Sequence, residues 1–252
     1  MEHLEGRESV LAALAARQRR FQVILIREGA HRDRFRDVLD LAGERGVPIR
    51  FVEDRELRAF AHGASHGGVL AVCSPKPRTT PDALLEIIAR ARAAGRAPLL
   101  LLIEGVDDAR NLGFVLRSAD AVGVDAVLVK KHLWDFDPVE VARPSSGAYE
   151  RLPLVQVEDI ELLERLKRDG LRLIGCLAGA RKAIYERDLA APTILAIGGE
   201  KRGLSGAVRS VCDAFATIPA RPGGPSFSLS HAASIVLAEA MRQRMVVAPP
   251  NS

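Results

Sequence analysis

The chain has 252 residues, of which 48% are hydrophobic and 27% charged, and a formal net charge of +4. This length and composition indicate a globular protein that buries one large core or two smaller modules. No apolar run approaches the roughly 20 residues of a membrane-spanning helix, and the first ten residues are too charged for a signal peptide. The sequence therefore predicts a cytoplasmic protein without a membrane partner.

The cysteines and the charge distribution do not identify a binding partner. Cys73, Cys176 and Cys212 are scattered through apolar segments with neither disulfide nor zinc spacing, which indicates reduced thiols. Residues 1–78 hold 14 Lys and Arg against 11 Asp and Glu. Arginine suits bidentate phosphate contacts, but so small an excess equally fits an ordinary solvated surface.

Helix-type and strand-type patterns alternate from the N-terminus and predict a small α/β unit. The predicted helices cover 7–20, 32–45 and 54–60, and the predicted strands cover 22–27, 48–52 and 68–73. The segment SPKPRTTP that follows has three prolines and no apolar residue. Such a segment is typical of a semi-rigid linker.

A larger α/β unit is predicted beyond this linker. Helices are expected at 82–94 and 229–244, and strands at 99–103, 126–130, 152–155, 171–176, 193–197 and 214–218. The continuous apolar run LLLLI at 99–103 is typical of a strand buried on both faces. The alternation of strands and helices predicts a mostly parallel sheet that helices cover on both sides.

The first predicted strand of the larger unit runs into EGVDDARNLGFVLRSADAVG, residues 104–123. This segment lacks both the GxGxxG turn of dinucleotide-binding folds and a phosphate-binding loop. It places Asn111, Gly113 and Arg117 at the start of an amphipathic helix. Either Asn111 caps this helix and Arg117 is a surface cation, or both side chains belong to a site.

A second segment, ILAIGGEKRGLS at 194–205, ends a buried strand with Gly198 and Gly199, and Glu200 follows. Paired glycines at the carboxyl end of a strand allow a ligand to approach the backbone, at the edge where α/β sheets bind ligands. A tight turn with a solvated tip fits the same residues.

A third segment, residues 216–244, passes from an Ile-Pro pair through a loop rich in proline and glycine into an apolar helix. Ser226, Ser228 and Ser230 before this helix fit ordinary N-cap residues. His231 fits a histidine on the helix surface, and without a nearby acid it does not indicate a catalytic triad.

Together these segments resemble the three signatures of the SpoU/TrmH family of RNA ribose 2′-O-methyltransferases. DARNLGFVLRSADAVG resembles the first signature, IGGEKRGL the second, and IPARPGGPSFSLSHAASIVLAE the third. In the third, Ala220 and Ser228 stand where the family usually has Met and Asn. LEGRESVLAAL and HGGVLAV resemble the two ends of the family's RNA-substrate-binding domain, so the resemblance covers nearly the whole chain.

The resemblance implies an α/β fold with a small N-terminal domain and a C-terminal SPOUT-type domain that contains a deep trefoil knot. Pattern alone argues against a knot, because knotted chains are very rare. The expected boundaries are an RNA-substrate-binding domain at 1–74, a linker and first helix at 75–97, and a methyltransferase domain at 98–246. The resemblance also implies a homodimer with its sites near the subunit interface.

The resemblance further implies S-adenosylmethionine as the methyl donor, no metal, and a structured RNA as substrate, with ribosomal RNA favoured over tRNA. The cofactor is expected at Gly198, Gly199, Ile218 and Phe227. The residues expected to act in catalysis are Asn111, Arg117, Glu200, Ser226 and Ser228. Arg117 matches the family arginine held to activate the ribose hydroxyl. Because arginine normally stays protonated, orienting the ribose and phosphate is an equally good role.

Three alternatives stay open on the sequence. The first is a close relative that acts on a different RNA, such as an antibiotic-resistance enzyme that methylates ribosomal RNA. The second is a non-catalytic RNA-binding protein that keeps the fold; the altered third signature favours it, and retention of Asn111, Arg117 and Glu200 opposes it. The third, an unrelated nucleotide-binding α/β protein, needs a phosphate loop that the sequence lacks.

Overall fold

Two β-sheets organise the chain in a computed structural model, which describes residues 1–62, 66–130, 134–221, 223–224 and 226–247. The chain divides into two compact units. The first comprises Met1–Pro77 and Phe136–Arg151, and the second comprises Arg78–Asp135 and Leu152–Ser252. The first unit therefore includes a segment from the middle of the chain.

Strands and helices alternate in both units. In chain order the strands are β1 (Glu2–Glu5), β2 (Phe21–Arg27), β3 (Ile49–Val52), β4 (Val69–Cys73), β5 (Leu99–Ile103), β6 (Ala126–Lys130), β7 (Leu154–Val157), β8 (Arg172–Cys176), β9 (Thr193–Ile197) and β10 (Ala214–Ala216). The α-helices are α1 (Arg7–Ala16), α2 (Arg36–Glu44), α3 (Asp54–Phe60), α4 (Pro81–Ala93), α5 (Ala109–Val122), α6 (Pro138–Ala142), α7 (Ala148–Arg151), α8 (Glu161–Arg168), α9 (Gly206–Val211) and α10 (Leu229–Val247).

The first unit is built on a mixed sheet with the strand order β1-β4-β2-β3. Strands β1 and β2 run antiparallel to β4, and β3 runs parallel to β2. The sequence pattern does not predict β1, because EHLE contains a single large apolar residue, Leu4. The helix predicted over 7–20 ends earlier, at Ala16, because Arg17 takes a left-handed backbone conformation with φ of 56°.

A buried ion pair fastens the segment 136–151 to the rest of the first unit. Arg19 donates through Nε and Nη2 to the two carboxylate oxygens of Glu150, each at 2.8 Å. The Lys76 ammonium donates to the Glu150 carbonyl oxygen at 3.1 Å, and burial lowers the pKa of Lys76 to about 8. Such charges are tolerated in an interior only when each has a partner of good geometry.

The second unit is built on a six-stranded parallel sheet with the order β10-β8-β9-β5-β6-β7. All five residues of the central strand β5 are buried, as the LLLLI run predicts. The α/β class with a mostly parallel sheet is thus confirmed, while the trefoil knot stays a prediction. Among the described residues, no helix is both long enough and apolar enough to cross a membrane.

Candidate active site

A cavity of about 770 Å³ lies at the carboxyl ends of β8, β9 and β10, which are neighbours in the sheet. Its volume falls within the roughly 300–1,000 Å³ that is usual for small-molecule sites. Cys176, Ile197 and Ala216, the last residues of these strands, all line it. Parallel sheets bind ligands at this edge because the loops that follow the strands converge there.

The cavity wall next to β9 is a turn whose first two residues leave no room for side chains. Gly203 N donates to Gly199 O at 2.8 Å, which folds the turn back on itself. A Cβ on Gly199 would lie 1.8 Å from Gly105 O, and one on Gly198 would lie 2.0 Å from Gly203 C. The glycine pair is therefore both a tight turn and a bare stretch of backbone that faces the cavity.

Glu104, directly after β5, holds this turn in place, and sequence reasoning missed it. Ser205 N and Ser205 Oγ donate to its carboxylate at 2.9 and 3.0 Å, and Lys130 Nζ lies 3.6 Å away. The Glu104 side chain is only 7% exposed. The sequence signal that could have identified Glu104 is its position, because it is an acidic residue directly after a strand buried on both faces.

The lining of the cavity includes six of the nine predicted site residues. These are Gly198, Gly199, Glu200, Ile218, Ser226 and Phe227. Leu229 N, at the start of α10, donates to a carboxylate oxygen of Glu200 at 3.1 Å. This bond links the second and third sequence segments, which are about 30 residues apart along the chain.

Asn111 and Arg117 lie on α5, outside the lining of the cavity. Asp108 caps α5 by accepting a hydrogen bond from Arg110 N at 2.7 Å, so the alternative in which Asn111 is the cap is wrong. Asn111 is half-buried and Arg117 is exposed. In the part of the chain that the structure describes, the Arg117 guanidinium has no hydrogen-bond or ion-pair partner.

Helix α5 packs against α10, with Ser118 Oγ 2.8 Å from Ser234 Oγ. Each helix leaves one side exposed, at spacings of three or four residues. We define the α5/α10 surface by these exposed residues: Phe114, Arg117 and Ala121 on α5, and His231, Ser234, Ala238, Met241 and Met245 on α10. The first and third sequence segments thus contribute to one surface.

Ser228, the remaining predicted residue, lies at the start of α10 beside the lining residues Phe227 and Leu229. Its hydroxyl oxygen is 2.6 Å from His231 Nδ1. The Cys176 thiol is unsuited to act as a nucleophile, because burial raises its pKa to about 12. The polar side chains at the cavity, on α5 and at the start of α10 carry carboxylate, amide, hydroxyl, imidazole and guanidinium groups.

Comparison with known proteins identifies the class that this fold and site define. A family model described as the SpoU rRNA Methylase family matches residues 98–238. A second model, described as RNA 2′-O ribose methyltransferase substrate binding, matches residues 3–79. The chain belongs to the SpoU rRNA methylase family and is an RNA ribose 2′-O-methyltransferase.

Individual relatives match over nearly the whole chain. RlmB of Pseudomonas putida, named as a 23S rRNA (guanosine-2′-O-)-methyltransferase, is 35% identical over 98% of each chain. The RlmB of Vibrio vulnificus is 32% identical over 97% of this chain and 98% of its own. The crystal structure of AviRb from Streptomyces viridochromogenes with AdoMet superposes with a TM-score of 0.79 at 25% identity, covering 97% of this chain and 90% of AviRb. The resemblance inferred from the three sequence segments is thus confirmed.

Proposed function

We propose that this protein transfers the methyl group of S-adenosylmethionine to the ribose 2′-hydroxyl of a guanosine in 23S ribosomal RNA. The observation that carries the proposal is the glycine-walled cavity at the ends of β8, β9 and β10, which gathers residues of the second and third segments. The names of the RlmB relatives support the RNA and the nucleotide, and the AdoMet complex of AviRb supports the cofactor. A ribosomal RNA substrate supports a cytoplasmic location for the protein.

The cavity suits S-adenosylmethionine in its chemistry as well as its size. Ile197, Leu177 and Leu229 provide apolar surface for an adenine ring, and the backbone at Gly198 and Ile218 offers peptide groups to its edge. The Glu200 carboxylate supplies negative charge for a cationic ligand. When bound, this cofactor supplies a methyl group on a sulfonium, which is electrophilic without help from a metal.

The chain's own contribution to the reaction is to position the ribose and to remove a proton. A ribose hydroxyl is a poor nucleophile until its proton is withdrawn and its oxygen is aligned with the methyl group. The Arg117 guanidinium orients the ribose or its phosphate with a planar, two-pronged contact. Asn111, on the same helix, and the hydroxyls of Ser226 and Ser228 complete the contacts to the ribose.

We assign the RNA-binding role to the N-terminal domain at 1–74, and the chemistry to the domain at 98–246, with residues 75–97 as linker and first helix. The substrate-binding family model over residues 3–79 supports this division. Arginine-rich composition in the N-terminal residues suits contacts with RNA phosphates, which release counterions on binding.

Cofactor binding distinguishes this proposal from the non-catalytic alternative. Calorimetry should show one S-adenosylmethionine bound per subunit with micromolar affinity, roughly −8 kcal/mol. Gly199→Ala should weaken that binding and lower the free energy of unfolding by about 1–3 kcal/mol, because its Cβ would displace the Gly105 backbone.

Gly206→Ala is the matched control for that substitution. Gly206 does not have a positive φ, and a Cβ added there meets no atom within 4 Å. We expect it to bind cofactor normally, with stability unchanged or raised by about 0.5 kcal/mol. A flat titration of the unmodified protein at high concentration would favour the non-catalytic alternative.

We also propose that the protein is a homodimer joined through the α5/α10 surface. Phe114, Met241 and Met245 are 47%, 38% and 50% exposed on it, and Ser234 and Ala238 are small enough for close helix packing. An exposed apolar patch of this kind marks an interaction site. Such an interface would bring Arg117 of each subunit to the boundary with its partner.

Light scattering should therefore give twice the chain mass of 27.2 kDa. Ala238→Glu places a charge in the middle of the α5/α10 surface and should produce the monomer, because an unpaired charge cannot be buried without a large cost. Ala93→Glu, at an exposed position of α4, is the control and should stay dimeric. A monomeric unmodified protein, or a dimeric Ala238→Glu variant, would contradict this interface.

A further inference from the structure

The pair formed by Ser228 and His231 has a geometry suited to moving a proton. Ser228 Oγ lies 2.6 Å from His231 Nδ1 and 3.3 Å from Ser230 Oγ. At 2.6 Å the hydroxyl and the ring nitrogen share one hydrogen bond. Ser228 is half-buried next to residues that line the cavity, whereas His231 is exposed on the α5/α10 surface. The pair therefore connects the site to the α5/α10 surface.

Methyl transfer to a hydroxyl releases a proton, and among the residues already assigned only Glu200 is a base near neutral pH, with its carboxylate already accepting a hydrogen bond from Leu229 N. Arginine stays protonated at neutral pH, and an asparagine amide or a serine hydroxyl is not a base in that range. Histidine is the side chain whose ordinary pKa lies near neutrality. At position 228 this chain has Ser in place of the Asn of the family signature, and the Ser228 hydroxyl is what contacts His231.

We propose that His231 accepts the proton of the ribose 2′-hydroxyl through Ser228, an inference that rests on the proposed function. The ribose O–H bond breaks as the new O–C bond forms, while the S–C bond breaks and its electron pair stays on sulfur. The ribose proton passes to Ser228 Oγ as the Ser228 proton passes to His231 Nδ1. The imidazolium then releases its proton to water before the next turnover.

A helix cap is the competing explanation for the same contact. His231 N approaches Ser228 Oγ at 3.5 Å, and Ala232 N donates to Ser228 O at 2.9 Å, as at an N-cap residue. His231 then stands at the third helical position, where Glu or Gln completes a capping box. Because glutamine keeps the cap but does not bind a proton near neutral pH, His231→Gln separates the two roles.

Several charged groups stand on α10 and on the elements that pack against it. They are Arg117 and Asp120 on α5, Glu186 in the turn that contacts α10, Glu200 after β9, and Glu239 and Arg242 further along α10. Glu239 is paired with Arg242 at 2.8 Å, and Glu200 accepts from Leu229 N. Of these, Glu200 is the rival acceptor because it lines the cavity.

The test compares single-turnover methyl transfer by the unmodified protein, His231→Gln and Glu200→Gln from about pH 5.5 to 9, beside thermal melts. We expect the unmodified rate to rise tenfold per pH unit and level off above the imidazole pKa. His231→Gln should melt normally, lose about 10²-fold in rate near pH 7.5 and lack that plateau.

An NMR titration of the protein without RNA or cofactor tests the contact itself. The His231 signal, identified by its absence from the spectrum of His231→Gln, should titrate at a different pH in Ser228→Ala.

If the unmodified protein is active and His231→Gln keeps the same rate and pH profile, the inference is overturned. The contact between Ser228 and His231 is then only a helix cap. A plateau that persists in His231→Gln and disappears in Glu200→Gln would overturn it in favour of the carboxylate. An unmodified protein that methylates no RNA would overturn the proposed function as well, so the two failures are distinguishable.

Discussion

Arg117→Ala should fold and bind S-adenosylmethionine normally, yet lose about 10²-fold or more in the rate of methyl transfer. Arg117 is exposed on α5 and lies outside the lining of the cavity, so its removal should change stability by about 0.5 kcal/mol or less. Single-turnover methylation beside a thermal melt and a cofactor titration measures all three quantities. A large rate loss with intact folding and cofactor binding would assign Arg117 to the RNA side of the reaction.

Arg117→Lys should fail to restore the rate, because an ammonium cannot reproduce the planar, two-pronged contact of a guanidinium. Arg90→Ala, at an exposed position of α4, is the control for loss of one surface cation and should keep the rate. A lysine variant with a near-normal rate would remove Arg117 from the mechanism. Asn111 and Glu200 would then be the groups to test.

Glu150→Ala should lower the stability of the first unit by about 3–5 kcal/mol, because it leaves a buried guanidinium without its bidentate partner. The side chains of Arg19 and Glu150 are 0% and 1% exposed. Arg19 keeps its bond to Glu2 at 2.6 Å, but the Glu2 side chain is 24% exposed and cannot replace two buried bonds. Chemical denaturation monitored by circular dichroism measures the loss.

Two further variants identify the cause of that loss. Arg19→Met combined with Glu150→Leu removes both charges and should recover most of the stability, since a buried ion pair is often replaceable by apolar residues of similar volume. Glu56→Ala breaks an exposed pair with Arg50 and should cost less than about 1 kcal/mol. If Glu150→Ala cost no more than Glu56→Ala, the buried pair would not be what holds 136–151.

Continuous apolar runs made much of the second unit predictable. Strands β5, β6 and β9 begin and end at the residues expected from the sequence, because strands buried on both faces carry an unbroken apolar signal. Strand β1 carries no such local signal. It is stabilised by pairing with β4, about 70 residues later in the chain. The grouping of 136–151 with the first unit likewise depends on a long-range contact, Arg19 with Glu150, that local patterns do not contain.

The parts of the candidate site in which backbone lines the cavity were predictable from the sequence. The glycine pair and the loop before α10 lie at the cavity as expected, since ligand sites of parallel sheets follow strand ends. Glu104 and the contact between Ser228 and His231 were missed, because each acquires its role from a partner. For Glu104 that partner is Ser205, about a hundred residues later in the chain.

The most direct test of the account is a map of ribose methylation in ribosomal RNA and tRNA from cells with and without this gene. We expect one 2′-O-methylguanosine of 23S ribosomal RNA to disappear with the gene. Expression of the unmodified protein should restore it, and expression of Arg117→Ala should not. An unchanged 23S map, or a loss confined to tRNA, would contradict the proposed substrate.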